Sequence, residues 1–591
     1  MNTKLIIACI MSLVVVFLPS AHAQPTGNAH PESVAVSESS GETENPFGQP
    51  EMSTMDLAAK HAFAEQIDLS ELMSAAVFHN GRVKILDTLS RETMSMLTGK
   101  PKYFDILVTD YDKPTKLKFE PSFTMLDLMI DPVYYLDRPL IGINYLPLRQ
   151  EILEMADTEA RATNTEFNKQ GWLKTGMISP RMTERYTTAA FNKNADYEPF
   201  RQAVGKLDRS ADIFRSGVSN LLVIAPDIPN DPWKHIGSLP STHPARVAAL
   251  DMAIAWRAGD AAAVNAASVV LATELKSIHP EIQANANAGV EVLYNKANAF
   301  EWGLWIYLLS LVSLILAFGT GRKSLITLGV ALLFAAIAIH AFGFTLRCII
   351  AQRFAIQNQF ESMTGISLFA AIVGSVIMLY KKQWLFGAAA AATGFLVLIT
   401  ATQTGIPGET IGREAAILNT SVLLKYHVTT VLTSYGLITL GFVVSVFYLG
   451  THYANKYLKE PKVETAGAPA LAAGALGHDT AEKTPGVIRT LKDLDTAQMT
   501  ILQLAFWTLG VGTLLGAWWA DHSWGRWWAF DPKETWALVT WIVYLIVIHA
   551  RFMQLKDRGL TTAWLSFIGF FVMLWTYFGV NLLLPGLHAY A

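Results

Sequence analysis

The second half of this chain of 591 residues is dominated by apolar runs that are long enough to enter a membrane. Eight such runs follow one another, and most could cross about 30 Å of hydrocarbon as a helix. In lipid, every backbone polar group must be hydrogen-bonded within the protein, so runs of this kind predict transmembrane helices. The predicted spans are 302–319, 324–345, 364–380, 384–401, 428–450, 500–519, 537–553 and 561–583.

The composition agrees with a membrane protein that also has a large soluble part. Hydrophobic residues make up 51% of the chain, charged residues only 16%, and the mean hydropathy is +0.29. The predicted fold class is therefore an all-α polytopic membrane protein, residues 301–591, with an N-terminal and mostly α extracytoplasmic domain, residues 57–300. A net charge of −3 gives no indication of a nucleic-acid partner.

The N-terminus has the pattern of a secretory signal peptide over residues 1–23. Lys4 precedes an apolar stretch, and an Ala-His-Ala sequence of the type cleaved by signal peptidase ends at Ala23. An uncleaved first span is the alternative, although the stretch is short for one. Residues 24–56 are polar and predict a flexible leader.

The N-terminal domain shows helical apolar spacing in its longer segments and short β-like runs between them. The predicted elements are helical segments within Leu146–Arg161 and Ala245–Ile278, strands at Asp105–Asp110 and Lys116–Phe119, and a turn leading into a helix over Gly81–Thr88, capped by Asp87 or Thr88.

Loop charge predicts the orientation of the membrane domain. With the N-terminal domain outside, the inner loops 320–323, 381–383, 451–499 and 551–560 carry thirteen Lys or Arg, against six in the outer loops. This bias predicts an extracytoplasmic C-terminus and a cytoplasmic linker at 451–499. The expected location is the bacterial inner membrane.

Tryptophan is concentrated in one segment between the sixth and seventh spans. Seven of the sixteen Trp fall between Trp518 and Trp541, and Asp531, Lys533 and Glu534 lie among them. An interfacial anchor is one explanation for such a loop. A flat aromatic platform for a large planar ligand with a polar edge is the other, and it accounts for the charges as well.

The sequence Trp-Gly-x-x-Trp-x-x-Asp-Pro-Lys-Glu-x-Trp, which begins at Trp524, resembles the "WWD" signature of the heme-handling proteins of cytochrome c biogenesis. In particular it resembles the CcsA/ResC type, the membrane component of the System II cytochrome c synthase. The family usually has Trp where this chain has Phe530. The resemblance covers approximately residues 300–591, with the WWD loop at 518–536, and no such motif lies in residues 24–300.

Two histidines flank the WWD loop on the predicted outer face, which is the arrangement that a bis-His heme site needs. Each taken alone has the simpler interpretation of an interfacial histidine. The resemblance implies that His427 and His588 are the extracytoplasmic heme ligands and that His549, inside the seventh span, binds heme arriving from the cytoplasm. The cofactor-binding residues implied for heme b are His427, His588, His549, Trp518, Trp524, Trp527, Trp528, Asp531 and Trp536, with the three histidines as iron ligands.

Other polar residues near the spans are weaker candidates. His340 is a possible second inner ligand, although the predicted topology puts it in the outer half of its span. His452 is interpreted as interfacial, and His522, in the WWD loop, either assists the site or is incidental. Arg347 or Arg353 is expected either to pair with a heme propionate or to lie at the membrane interface.

The resemblance implies a subunit of a holocytochrome c synthase that binds heme, delivers it outward and promotes its thioether attachment to the CxxCH motif of apocytochrome c. The alternative is a heme transporter or chaperone without ligation activity. A quinol-linked b-type cytochrome subunit is disfavoured because His427 and His588 lie at loop edges. Expected partners are a CcsB/ResB-type membrane subunit, apocytochrome c and a thioredoxin-like thiol reductant. The reductant is expected because Cys348, the one cysteine outside the signal peptide, cannot form an internal disulfide.

Overall fold

The computed structural model describes residues 45–50, 55–107, 115–217, 221–226, 231–406, 408–413, 422–457, 486–553, 557–584 and 586. The signal peptide, most of the leader and most of the 451–499 linker are predictions that lie outside these residues. Contacts divide the chain into two compact units, which meet in sequence between Lys296 and Ala297.

The first unit is mostly helical, as predicted. Its helices are α1 (Leu57–Ala64), α2 (Ser70–Met73), α3 (Leu86–Thr98), α4 (Pro121–Ile130), α5 (Leu146–Ala162), α6 (Lys169–Thr175), α7 (Pro180–Lys193), α8 (Glu198–Ser216), α9 (Pro244–Ala258), α10 (Ala261–Ile278), α11 (Pro280–Asn285) and α12 (Ala288–Ala297). The segment predicted as helical over Ala245–Ile278 is broken at Gly259, which has a φ of 72° and ends α9.

Among the described residues of this unit, three antiparallel strand pairs connect the helices. They are β1 (Ala76–His79) with β2 (Arg82–Ile85), β3 (Phe104–Leu107) with β4 (Thr115–Lys118), and β5 (Ile141–Gly142) with β6 (Met177–Ile178). The two predicted strands are confirmed as β3 and β4. The prediction for Gly81–Thr88 is confirmed in part, because a helix, α3, does begin at Leu86. It is wrong for residues 82–85, which pair with β1 as a strand, and for the cap, because α3 begins without a side-chain cap.

A buried ion pair lies at the centre of the first unit. Lys60 Nζ lies 2.7 Å from Asp127 Oδ2 and 3.0 Å from Asp131 Oδ2, and both partners are almost fully buried. Tyr135 and Trp256 also donate hydrogen bonds to the Asp127 carboxylate. Buried charges need such compensation, so this network ties α1, α4 and α9 into one core.

The described part of the membrane domain contains eight long apolar helices, which agree with the eight predicted spans. They are α13 (Ala299–Thr320), α14 (Lys323–Ala351), α15 (Gln359–Lys381), α16 (Leu385–Gln403), α17 (Val422–Tyr457), α18 (Gly486–Trp524), α19 (Pro532–Ala550) and α20 (Arg558–Leu574), and a π-helical turn over Trp575–Gly579 leads into α21 (Val580–Leu583). A ninth helix among the described residues, α10, is also long and apolar enough to span a membrane. It packs on α9 within the first unit instead.

The candidate functional site lies at one end of the bundle, where α15 and α19 begin, α18 ends and the π-helical turn follows α20. We call this the WWD end. α17 and α18 pack along each other more extensively than any other helix pair of the bundle. Their close packing positions the side chains described next.

Candidate functional site

A cavity of about 390 Å³ lies at the WWD end of the membrane domain. Its walls come from α15, α17, α18, α19, the π-helical turn and the segment 408–412. Leucine, valine and tryptophan side chains line it together with hydroxyl, amide and charged groups. A mostly apolar pocket with a few convergent polar groups is the usual form of a small-molecule site, so this cavity is the candidate functional site.

His427, in the second turn of α17, lines the cavity. Its Nδ1 lies 2.8 Å from the carbonyl oxygen of Gly512 on α18. A carbonyl oxygen only accepts, so Nδ1 carries the proton in this bond and the lone pair of the neutral ring is on Nε2. A hydrogen bond of this kind from one ring nitrogen is what orients histidine ligands to metals.

Two glycines of α18 make room for the imidazole. A Cβ atom at Gly516 would lie 2.5 Å from Cε1 of His427, and one at Gly512 would lie 2.7 Å from Val431. Small residues four apart allow membrane helices to approach closely. Gly512 and Gly516 therefore position His427, a role that the sequence analysis missed although their Gly-x-x-x-Gly spacing signals it.

The aromatic segment is not the flat loop that was predicted, because α18 remains helical as far as Trp524. Successive residues of a helix point about 100° apart, so its tryptophans face different directions. Trp519 is 2% exposed and lines the cavity, whereas Trp518 is 47% exposed on the outside of the bundle. Trp524 packs edge to face on Trp519, with ring centroids 4.9 Å apart, and so lies behind the cavity wall.

The tryptophans that follow α18 also differ in their surroundings. Trp528 lines the cavity. Trp527 and Phe530 are 55% and 79% exposed. Trp536 packs against Trp575, with ring centroids 5.9 Å apart. Of the five predicted tryptophans, all of which are described, Trp528 is therefore the one that the structure brings to the cavity beside His427.

Asp531 and Glu534 form the capping box that begins α19. The Asp531 carboxylate accepts a hydrogen bond from the backbone N–H of Lys533, and Glu534 Oε2 accepts one from the backbone N–H of Asp531, with N and O 3.3 Å apart. Such reciprocal bonds satisfy the unpaired donors at a helix N-terminus. The charged residues of the WWD signature thus have a structural role in fixing the loop, and Glu534 also lines the cavity.

His588 lies outside the described residues, but Gly586 is described. A Cβ atom at Gly586 would lie 2.6 Å from Oδ1 of Asp531. The backbone two residues before His588 therefore runs directly against the start of α19, at the WWD end.

His549 lies on the outside of the helix bundle, at the other end of α19. Its Nδ1 lies 2.8 Å from the carbonyl oxygen of Leu545, so the lone pair of the neutral ring is again on Nε2. Two residues later, Arg551 forms an ion pair with Asp495 of α18. His549 is thus an oriented imidazole on an external face rather than part of the cavity.

The three weaker histidine candidates lie apart from the cavity. His340 is fully buried and its Nδ1 lies 3.5 Å from the Tyr307 hydroxyl, within the packing of α13 and α14. His452 stacks on Tyr448. His522 is exposed and bonds to a carbonyl one helical turn earlier.

Arg347 and Arg353 belong to a buried ion-pair cluster beside the cavity. Arg347 is fully buried and donates to Glu361 and to the carbonyl oxygens of Gly408 and Glu409. Arg353 donates two hydrogen bonds to the same Glu361 carboxylate. Arg347 therefore ties the segment 408–412, which lines the cavity, to Glu361 of α15, and Arg353 holds the chain just before the segment 354–359 to the same carboxylate.

Several hydroxyl and amide groups of the cavity were not predicted. Tyr577, in the π-helical turn, bonds to the Ser362 hydroxyl and donates to the carbonyl oxygen of Gln359 at 3.2 Å. The Tyr435 ring meets that of Tyr577 edge to face at 6.0 Å. π-helical turns are frequent at functional sites. A possible signal for Tyr435 was its position two turns after His427 on the same helix face.

The fold and the cavity together define a class: a polytopic helical membrane protein with an aromatic small-molecule site that presents an oriented histidine. Residues 297–588 match the family model described as cytochrome c assembly protein. CcsA of Synechococcus sp., a cytochrome c biogenesis protein, is 30% identical to this chain, and the match covers 76% of that CcsA and 40% of this chain. CcsA of Microcystis aeruginosa is 30% identical over 79% of that protein and 40% of this chain. This chain belongs to the CcsA family of cytochrome c biogenesis proteins.

Similarity also extends beyond the membrane domain. Protein NrfI of Wolinella succinogenes is 25% identical over 532 residues, which cover 86% of this chain. That share exceeds the membrane domain, so the match continues into the first unit. The chain spans about half the length of NrfI, 53%.

Proposed function

We propose that this protein binds heme in the cavity at the WWD end and promotes its covalent attachment to apocytochrome c, as a subunit of a holocytochrome c synthase. The observation that supports this proposal best is the position of the His427 ring and the hydrogen bond that orients it. Its ring lines the cavity, and the bond from Nδ1 to Gly512 places the lone pair of the neutral ring on Nε2, the atom that would bind iron.

The other lining groups suit heme b as a substrate. Trp519, Trp528 and Tyr435 offer aromatic surface to a planar apolar macrocycle. The charged and amide groups of the lining suit its polar edge. His588 is proposed as the second axial ligand, and the approach of Gly586 to Asp531 supports a position for it near the cavity.

The chemistry that this site would promote needs no nucleophile from the chain. Each cysteine thiol of the CxxCH motif adds its S–H bond across a vinyl C=C bond of heme, forming one C–S bond and one C–H bond. All atoms of the thiol and the vinyl group stay in the product, so this addition needs no leaving group, oxidant or reductant. What the chain contributes is iron ligation, orientation of the macrocycle and exclusion of water.

A second site is proposed at His549, for heme that enters from the cytoplasm. Its exposed position on the bundle surface suits a ligand pair completed by another subunit, for which a CcsB/ResB-type membrane protein is the proposed partner. The excess of Lys and Arg in the predicted inner loops supports the cytoplasmic placement of His549 and the extracytoplasmic placement of the WWD end.

Absorption spectra of the purified protein test the outer site. Bis-histidine heme is expected in the wild type, and it should be lost or spectrally altered in both His427→Ala and His588→Ala. Unchanged spectra in both variants would contradict the assignment of the ligands.

A reconstituted reaction distinguishes a synthase from a heme chaperone. With the partner subunit, ferrous heme and an apocytochrome peptide, a thioether-linked product is expected for the wild type and not for His427→Ala. Bound heme with no covalent product would favour the chaperone.

A further inference from the structure

Two lysines line the cavity although most of its surface is apolar. Lys425 lies in the first turn of α17, two residues before His427, and Lys533 is the second residue of α19. Both are partly buried. A positive charge partly withdrawn from water is stabilised most by an anion that shares its surroundings.

The carboxylates near Lys533 in sequence, Asp531 and Glu534, also serve the cap of α19. Glu534, which also lines the cavity, accepts hydrogen bonds from the backbone N–H groups of Ala529 and Asp531. Asp531, the carboxylate that acts electrostatically on Lys533, caps α19. The ion pairs within 4.0 Å that join described residues of the membrane domain involve three arginines and neither lysine.

The amide of Gln359 is a second, independent sign that the cavity accommodates a polar group. Gln359 lines the cavity at the start of α15, and both its Oε1 and its Nε2 are buried without a hydrogen-bond partner in the described structure. A buried amide without a partner is costly, so a ligand that supplies one is favoured here.

We propose that Lys425 and Lys533 bind the two carboxylate groups of the porphyrin and thereby set which edge of the macrocycle faces each wall of the cavity. This inference rests on the proposed heme site. It adds that the site selects porphyrins with charged carboxylates, because a porphyrin without them would lack these contacts. Lysine ammonium groups are flexible point charges, well suited to a carboxylate that must be released after the reaction.

The orientation matters for the reaction. In protoheme the two propionates leave adjacent pyrrole rings and the two vinyl groups leave the other two. Holding the carboxylate edge therefore places the edge that carries the two vinyl groups on the opposite side of the cavity. Lys425 and Lys533 act in this scheme as substrate-binding and specificity-determining residues, while His427 holds the iron.

The test compares iron protoporphyrin IX with its dimethyl ester, in which both carboxylates are neutral. Full-length protein purified in detergent from heme-deficient cells is titrated with each porphyrin, and binding is followed by the absorption of the histidine-ligated iron. The variants are Lys425→Gln, Lys533→Gln and the double substitution. Arg526→Gln, which removes an exposed positive charge from the same loop, is the matched control.

We expect the wild type to bind the free acid more tightly than the ester. Each lysine substitution should lower affinity for the acid by about tenfold and leave affinity for the ester unchanged. The double variant should no longer distinguish the two porphyrins, and Arg526→Gln should behave as the wild type.

If the lysine variants lost affinity for the acid and the ester equally, or if the wild type bound the two equally tightly, this inference would be overturned and the proposed heme site would stand. Failure of the wild type to bind either porphyrin would instead refute the proposed function. Loss of co-purified phospholipid from the lysine variants, with acid and ester binding unchanged, would show that the lysines serve a lipid phosphate and would also overturn the inference.

Discussion

At the scale of single residues, His427 differs from His522 and His549 in what surrounds it. In the described structure, His522 and His549 each bond to a carbonyl group of their own helix, one turn earlier. His427 bonds across to Gly512 on another helix, so its ring is held by the packing of α17 against α18. A ligand held in this way keeps its orientation when heme leaves, which suits a site that must release its substrate.

Gly516→Ala tests this positioning without removing the histidine. A methyl group at residue 516 would lie 2.5 Å from the His427 ring, so the imidazole must turn away and lose its bond to Gly512. Loss of a supporting hydrogen bond to a metal ligand costs about tenfold or more in affinity, and we expect heme binding to weaken by that factor. Heme titration with detection of the axial-ligand spectrum measures the effect.

Gly450→Ala is the matched control, since it adds the same methyl group to α17 where nothing lies within 4 Å. That variant should bind heme as the wild type does. Equal heme affinity in Gly516→Ala and Gly450→Ala would mean that the close approach of Gly516 does not position the ligand.

At the scale of elements, the capping box at the start of α19 determines the path of the WWD loop. Asp531→Ala removes the cap, and we expect it to destabilise the start of the helix by about 1 kcal/mol, with faster hydrogen exchange across residues 532–536. Asp531→Asn retains a good N-cap and should exchange as the wild type does. Hydrogen exchange measured by mass spectrometry on both variants separates these outcomes.

The same pair of variants separates a structural Asp531 from one that binds the cofactor. If the residue acts through the cap, Asp531→Asn should retain heme affinity and Asp531→Ala should reduce it. Equal loss in both variants would indicate that the carboxylate itself contacts the ligand.

How much of this site the sequence could predict depends on the kind of signal each element carries. The eight spans were predicted because apolar length is a local property. His427 and Trp528 were found through a motif. The role of Gly516 and the meeting of Tyr435 with Tyr577 depend on which helices pack together, and that information is not local. Residues 82–85 were misassigned for the same reason, since their strand forms only by pairing with β1.

At the scale of the whole molecule, the first unit carries a pH-sensitive cluster of its own. His79 of β1 lies 3.9 Å from Glu92, which pairs with the buried Lys84. Burial, and then the nearby Lys84 charge, lower the pKa of His79 to about 4. The folded state thus favours the neutral ring, so this contribution to stability is complete above pH 6.5 and is lost as the pH falls toward 4.

We expect local stability around α3 to fall by up to about 3 kcal/mol over that range. His79→Gln should remove the part of the pH dependence that arises from the histidine. Hydrogen exchange of residues 86–98 at pH 5 and pH 7.5, corrected for intrinsic rates, measures the difference. If local stability depended on pH identically in His79→Gln and the wild type, the pH dependence would arise from Glu92 and Lys84 and not from His79.

The two proposed heme sites differ in whether they need a second subunit. The cavity at His427 is enclosed by helices of this chain, whereas His549 lies on the outside of the bundle, where one imidazole alone holds heme weakly. In the protein purified alone, His549→Ala should therefore leave bound heme almost unchanged. Co-purified with a CcsB/ResB-type subunit, the wild type should gain a second heme that His549→Ala removes.

His452→Ala is the control for this comparison, because it removes another histidine of the membrane domain that lies outside the cavity, and it should change neither heme signal. If His549→Ala instead depleted heme from the isolated chain as strongly as His427→Ala, both histidines would serve sites complete within this chain. The proposal that the site at His549 is completed by a partner subunit would then be wrong. If the second heme appeared and survived the substitution, the inner ligands would both come from the partner, and His549 would serve only to pack the two proteins together.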